Sequence, residues 1–180
     1  MAALVASLLI RLTDRSADWT AGTAERTGQP GAILAGATIA IIVTHAVAAV
    51  AGFFLSQYLT PNPLRLMLAL MLILAAAGAV WPGKPKEPAT KRPLLATLAY
   101  LIPAGINGRG EYVVFALAAA GTPALAGIGG MIGSLVILIA VALMGEQLWR
   151  PLPHRAIGIV VALLLTATGA WLGLSAIRLI

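Results

Sequence analysis

Cysteine is absent from the chain, which excludes a disulfide framework, a thiolate metal centre and thiol chemistry, and says nothing of redox compartment. Charge is scarce as well: Asp, Glu, Lys and Arg make up 10% of the 180 residues, and only six of these are acidic. No glycine-rich phosphate loop, nucleophile elbow or His-Glu-x-x-His zinc helix occurs. No loop is large enough to hold a substrate, so the chain reads as a non-enzyme with no resident cofactor. The start, MAALVASLLIRL, lacks a basic region ahead of its apolar stretch, which Arg11 ends, so a cleaved signal peptide is not expected. What is abundant is apolar side chain. Hydrophobic residues make up 60% and the mean hydropathy is +0.96. That leaves too little polar surface for a water-soluble domain, and the lipid bilayer is the expected partner.

Charge-free runs cover 27–64, 66–83, 93–108, 112–145 and 156–177, and several reach the roughly 20 apolar residues that cross a bilayer. Pro61, Pro63, Gly121, Pro123, Pro151 and Pro153 mark turns between them. Together they predict an all-α integral membrane protein with six transmembrane helices at 2–21, 32–59, 64–81, 94–120, 123–144 and 156–178. The first is the weakest, because SADWTAGTAERTGQ favours an early exit from the membrane.

The net charge of +6 resides in short loops without interleaved aromatics, so nucleic acid is not an expected partner. Arg26, Lys84, Lys86, Lys91, Arg92, Arg150 and Arg155 fall on one side, and Arg65 and Arg178 on the other. The positive-inside rule then makes the central linker, residues 83–93, cytoplasmic, as in a bacterial inner membrane. Trp81, Trp149 and Tyr58 fall near span ends, where amphipathic rings favour the headgroup layer. His154 and Glu146 read as solvated loop residues, and a homo-oligomer stays open.

A shift of 91 positions aligns ILAG at 33–36 with ALAG at 124–127, and LILAAAGA at 72–79 with LLLTATGA at 163–170. Two three-helix repeats are expected, 1–82 and 94–180. Three is odd, so the repeats enter the membrane from opposite sides and are inverted; such repeats place a site near the midplane.

The stretch LIRLTDRSADW sets Arg11, Asp14, Arg15 and Asp18 at i, i+3, i+4 and i+7, one face of a continuous helix with alternating sign. This is either a self-neutralising ladder or a surface anchor, or it marks an ion or proton path, since ionisable groups at membrane depth are costly unless paired. Arg109 and Glu111, at i and i+2, point to nearly opposite sides of an intact helix and need partners elsewhere. The surrounding Gly105, Asn107, Gly108 and Gly110 suit either a mid-span break or close helix packing. The expected pairs are Arg109 with Asp14 or Asp18, and Glu111 with Arg11 or Arg15. His45 is either a packing residue or a proton carrier. Gly129, Gly130 and Gly133 in IGGMIGS are spaced for close helix packing.

The stretch LAGATIAIIVTHAVAAVAGFFLSQYLTPNPLRLMLALMLILAAAGAVW, with Thr44-His45, resembles the second and third helices of the transmembrane protein 165 family. These are calcium/manganese-proton exchangers, a branch of the lysine-exporter superfamily. FALAAAG and MGEQLWRPLPHRAIGIVVALLLTATGAW resemble the other half, so the likeness spans nearly the whole chain. In that family each half's first helix carries Glu-x-Gly-Asp-(Lys/Arg)-(Thr/Ser), whose carboxylates take the cation. Here RLTDRS puts Arg11 at the Glu and Thr13 at the Gly, while Asp14, Arg15 and Ser16 fit. GINGRGE puts Gly105 and Gly108 at the acidic positions, Arg109 fits the basic one, and Glu111 stands at a usual Gln.

The resemblance implies divalent-cation/proton exchange, with metal oxygens from Asp14 and Glu111 supplemented by Ser16 and Asn107. Arg11, Arg15 and Arg109 would pair with the acids of an empty site, and His45 would carry a proton. Because three of four motif carboxylates are out of register, a non-transporting salt-bridge network and a carrier of a small anion or amino acid are the alternatives.

Overall fold

The computed structural model describes residues 2–80, 92–149, 151 and 153–177. Linker residues 83–91, with Trp81, Arg150 and Arg178, lie outside them. The described residues form eight α-helices: α1 (Ala2–Arg11), α2 (Arg15–Thr27), α3 (Pro30–Ser56), α4 (Pro61–Val80), α5 (Pro93–Ile106), α6 (Arg109–Ala119), α7 (Pro123–Trp149) and α8 (His154–Ala176). Four of them, α3, α4, α7 and α8, are long and apolar enough to cross a membrane. Val47, Phe54, Leu70, Leu143, Leu163 and Trp171 are exposed, while Thr44, His45, Thr97, Glu111 and Ser134 are buried. Apolar outside and polar inside is the arrangement lipid selects.

The first predicted span is two helices. Thr13 and Asp14 are poor helix-interior residues because their side chains compete for nearby backbone groups. Thr13 donates its hydroxyl to the Ile10 carbonyl at 2.9 Å, and Asp14 takes extended backbone (φ −93°, ψ 141°) as the N-cap of α2. Arg11, Asp14, Arg15 and Asp18 therefore do not form a four-membered ladder on one face. Nor does α2 leave the bundle, as its polar sequence suggested: Ala17, Trp19, Thr20 and Thr23 are buried, and Trp19 stacks on Tyr100 with centroids 4.5 Å apart. Thr20 and Thr23 return their hydroxyls to the carbonyls of Ser16 and Trp19 at 2.6 and 2.7 Å, which makes a polar helix compatible with burial.

The predicted span 94–120 is likewise divided, into α5 and α6. Gly108 caps α6 with φ −80° and ψ 140°, nearly the conformation of Asp14. Both readings of the glycines around Arg109 are observed: the helix breaks at Gly108, and Gly105 lets α5 pack closely on Thr44 of α3.

The predicted span 123–144 instead runs on to Trp149, through a kink at Gly145 (φ 71°, ψ 177°) where only glycine is comfortable. The kink brings Trp149 under α2. There the ring is buried and donates Nε1–H to Asp18 at 2.7 Å, instead of lying in a headgroup layer. Tyr58 is exposed at 83%. Glu146 and His154 are half-buried, not solvated: the Glu146 amide donates to Glu25 at 2.7 Å, and His154 Nε2 bonds the Trp149 carbonyl at 2.8 Å.

Packing crosses between the halves. Helices α1 and α2 lie on α7, and α5 and α6 lie on α3. Small residues make the approach possible: a Cβ at Gly133 would strike the Leu4 carbonyl, and one at Gly36 would strike Thr97 and the Leu94 carbonyl. The order short, short, long, long occurs twice. Residues 15, 30 and 61 open α2, α3 and α4, and residues 109, 123 and 154 open α6, α7 and α8, 93 or 94 positions on. The openings of α1 and α5, residues 2 and 93, stand 91 positions apart, the offset of the Leu/Ala blocks, and Pro30 and Pro123 each open a 27-residue helix.

Candidate functional site

The two helix breaks meet. From the end of α1, Arg11 donates through Nη1 to Asp14 Oδ2 and Ser16 Oγ, both at 3.0 Å. Through Nη2 it donates to Glu111 Oε1 at 3.0 Å and Ser134 Oγ at 3.3 Å. From the start of α6, Arg109 donates Nη2–H to the Thr13 carbonyl at 2.8 Å, an oxygen the break has released from the helix ladder. The same nitrogen lies 3.8 Å from Asp14 Oδ1. Each half thus sends an arginine to the other half's carboxylate.

Glu111 Oε1 also accepts the Thr44 hydroxyl at 3.2 Å. His45 extends the network on its far side. Its Nδ1 is 3.1 Å from the Ile41 carbonyl, which only accepts, so Nδ1 carries the hydrogen of the neutral ring. Nε2 then accepts from Ser134 Oγ at 3.1 Å, giving a chain from Arg11 through Ser134 to His45. Two polar atoms of the cluster, Glu111 Oε2 and Arg109 Nη1, are buried with no hydrogen-bond partner among the described residues. A cavity of about 230 Å³ adjoins it, lined by Thr44, Glu111 and Tyr112 and by apolar residues including Met71 and Phe115.

Of the residues singled out from sequence, Arg11, Asp14, Ser16, His45, Arg109 and Glu111 come together, in the expected pairs Arg11 with Glu111 and Arg109 with Asp14. Arg15, Asp18 and Asn107 do not join them; all three are exposed. Arg15 is turned away because α2 begins there with a new helical phase. Asn107→Ala is accordingly expected to leave thermal stability in detergent within about 0.5 kcal/mol of wild type.

Sequence reasoning missed Ser134 as a site residue. The available signal was that it is the one hydroxyl side chain between Thr122 and Gly145. It also missed how the second half keeps a carboxylate. A Cβ on Gly108 would fall on Glu111 Oε2, so the Glu111 carboxylate fills the space where a side chain at 108 would start. Likewise, a Cβ on Gly105 would meet the Thr44 side chain.

Among the described residues no group of three His, Cys, Asp or Glu is placed to hold a metal ion. The side-chain oxygens gathered in the cluster belong to five residues, Asp14, Glu111, Ser16, Ser134 and Thr44, and Arg11 bonds one oxygen from each of the first four.

Fold and cluster define an integral membrane protein with an ionic network inside its helix bundle. Residues 1–87 match the family model of the divalent cation/proton antiporter GDT1. That stretch, which carries Arg11, Asp14, Ser16 and His45, is similar to a family of transporters, the one the sequence resembles. No curated protein and no solved structure matches the chain.

Proposed function

We propose that the chain is a secondary transporter exchanging a divalent cation, calcium or manganese, for protons, with its site where the two helix breaks meet. In this reading α1 with α2 and α5 with α6 each make one crossing. The chain then has six crossings in two inverted halves, 1–82 and 94–180, with the basic linker on the cytoplasmic side of a bacterial inner membrane.

The observation that carries the proposal is one carboxylate from each half, Asp14 and Glu111, converging on a single buried guanidinium. Discontinuous helices that free backbone groups at a repeat interface are how membrane proteins build ion sites without exposing broken backbone to lipid. The recurrent helix order and the exchanged packing support the repeat. The cavity at Thr44 and Glu111 argues against a sealed, purely structural network. His45, linked to Ser134 and 3.6 Å from Glu111, is the residue best placed to take up a proton as cargo leaves.

The test is uptake by the full chain in proteoliposomes, with manganese, calcium and a panel of small anions, with and without a pH gradient. Gradient-driven manganese or calcium uptake that Asp14→Asn reduces at least about tenfold is expected. Anion flux that needs Arg109 and ignores Asp14 points to the anion carrier, and no flux of any species to the structural network.

A further inference from the structure

We infer that Arg11 is a tethered stand-in for the transported cation: its guanidinium occupies the oxygen shell that the cargo uses, and cargo enters only by displacing it. The inference rests on reading the cluster as the transport site. Four oxygens surround the guanidinium at 3.0–3.3 Å, two from carboxylates (Asp14, Glu111) and two from hydroxyls (Ser16, Ser134). They come from α2 and its cap, from α6 and from α7, so the shell spans both halves. Carboxylate and hydroxyl oxygens are hard ligands suited to calcium, magnesium or manganese, and five or more are wanted. Thr44 Oγ1, 3.2 Å from Glu111 Oε1, and the unpartnered Glu111 Oε2 bring the oxygens within reach to six.

Charge arithmetic points the same way. With His45 neutral, Arg11 and Arg109 balance Asp14 and Glu111. A divalent ion added beside an unmoved Arg11 would leave a doubly positive cluster in a low-dielectric interior, which burial penalises heavily. Arg109 is the lesser obstacle: it is bonded to the Thr13 carbonyl and approaches Asp14 only to 3.8 Å. Arg11 closes α1, and the helix ends immediately after it, so its side chain is carried beside the break between α1 and α2.

Affinity for the cation is therefore set by competition with residue 11. The test is a manganese titration of the full chain in detergent, reading free Mn2+ by electron paramagnetic resonance. Arg11→Gln is expected to bind Mn2+ at least about tenfold more tightly than wild type. Arg11→Lys, which keeps a tethered cation, should stay within about threefold of wild type. Arg15→Gln removes the same charge from an exposed position and should leave affinity unchanged, which separates local displacement from overall electrostatics.

Should Arg11→Gln fail to stay folded in metal-free buffer, millimolar Mn2+ is expected to restore monodisperse protein, and potassium chloride of equal ionic strength is not. Equal or weaker Mn2+ binding by folded Arg11→Gln, or no rescue by Mn2+, overturns the inference. Tighter binding by Arg11→Gln with no flux in vesicles keeps the inference and removes the transport reading. Flux by wild type with unchanged affinity in Arg11→Gln does the reverse.

Discussion

Glu111→Gln should abolish cation uptake and cost about 3 kcal/mol of stability, because it removes one carboxylate of a buried pair and leaves the Arg11 charge only half answered. The carboxylate is buried, and its Oε1 takes hydrogen bonds from Arg11 and Thr44. Glutamine keeps an acceptor in place, which holds the loss to the lower end of the range for broken buried pairs. It does not keep the charge, so Arg11 and Arg109 then face Asp14 alone. Thermal unfolding in detergent measures the first effect and proteoliposome uptake the second. Glu111→Asp retains the charge but shortens the reach across Gly108, and should recover stability in part and uptake hardly at all. Full uptake by Glu111→Gln would mean that the second half contributes no ligand.

Gly133→Val is the other large effect expected, and it acts without touching a charged group. At Gly133 a Cβ would overlap the Leu4 carbonyl and stand 3.1 Å from the Leu8 amide. Both are backbone atoms of α1, and neither can give as a flexible side chain gives. A branched side chain must therefore push α1 off α7, at about 3 kcal/mol or more, the upper end of overpacking costs. Arg11 sits at the end of α1 and Ser134 next to residue 133, so the displacement should also pull the guanidinium from Ser134. Gly129→Ala is the milder control, since its Cβ would meet Leu4 N at 3.2 Å. The check is unfolding temperature with uptake in the same preparation: Gly133→Val should lower both, and Gly129→Ala should affect each much less.

How much of this was legible in the sequence follows from what each residue could reveal by itself. The cross-pairing of Arg11 with Glu111 and Arg109 with Asp14 was legible because charges at membrane depth must be answered, and few candidates exist. The second break was legible because Gly105, Asn107, Gly108 and Gly110 crowd one stretch. The first was hidden: Arg11, Asp14, Arg15 and Asp18 keep helical spacing across a break that interrupts the helix, so the charges satisfied a periodicity the backbone does not follow. Burial of α2 was hidden too. Its threonines look solvent-seeking until their hydroxyls are seen returned to carbonyls one turn back. The seat of the Glu111 carboxylate over Gly108 depends on a side chain folding back over a glycine, a contact that positions along the chain do not express.

The central claim, that Asp14 and Glu111 are brought together to bind a cation in exchange for protons, is tested most directly by reading Mn2+ entry and lumenal pH together in proteoliposomes. The full chain is set beside Asp14→Asn and Glu111→Gln. The expected result is Mn2+ entry with protons moving the opposite way in wild type, and loss of both movements in either variant. Manganese entry without proton movement, or coupled movement that survives in both variants, would contradict it.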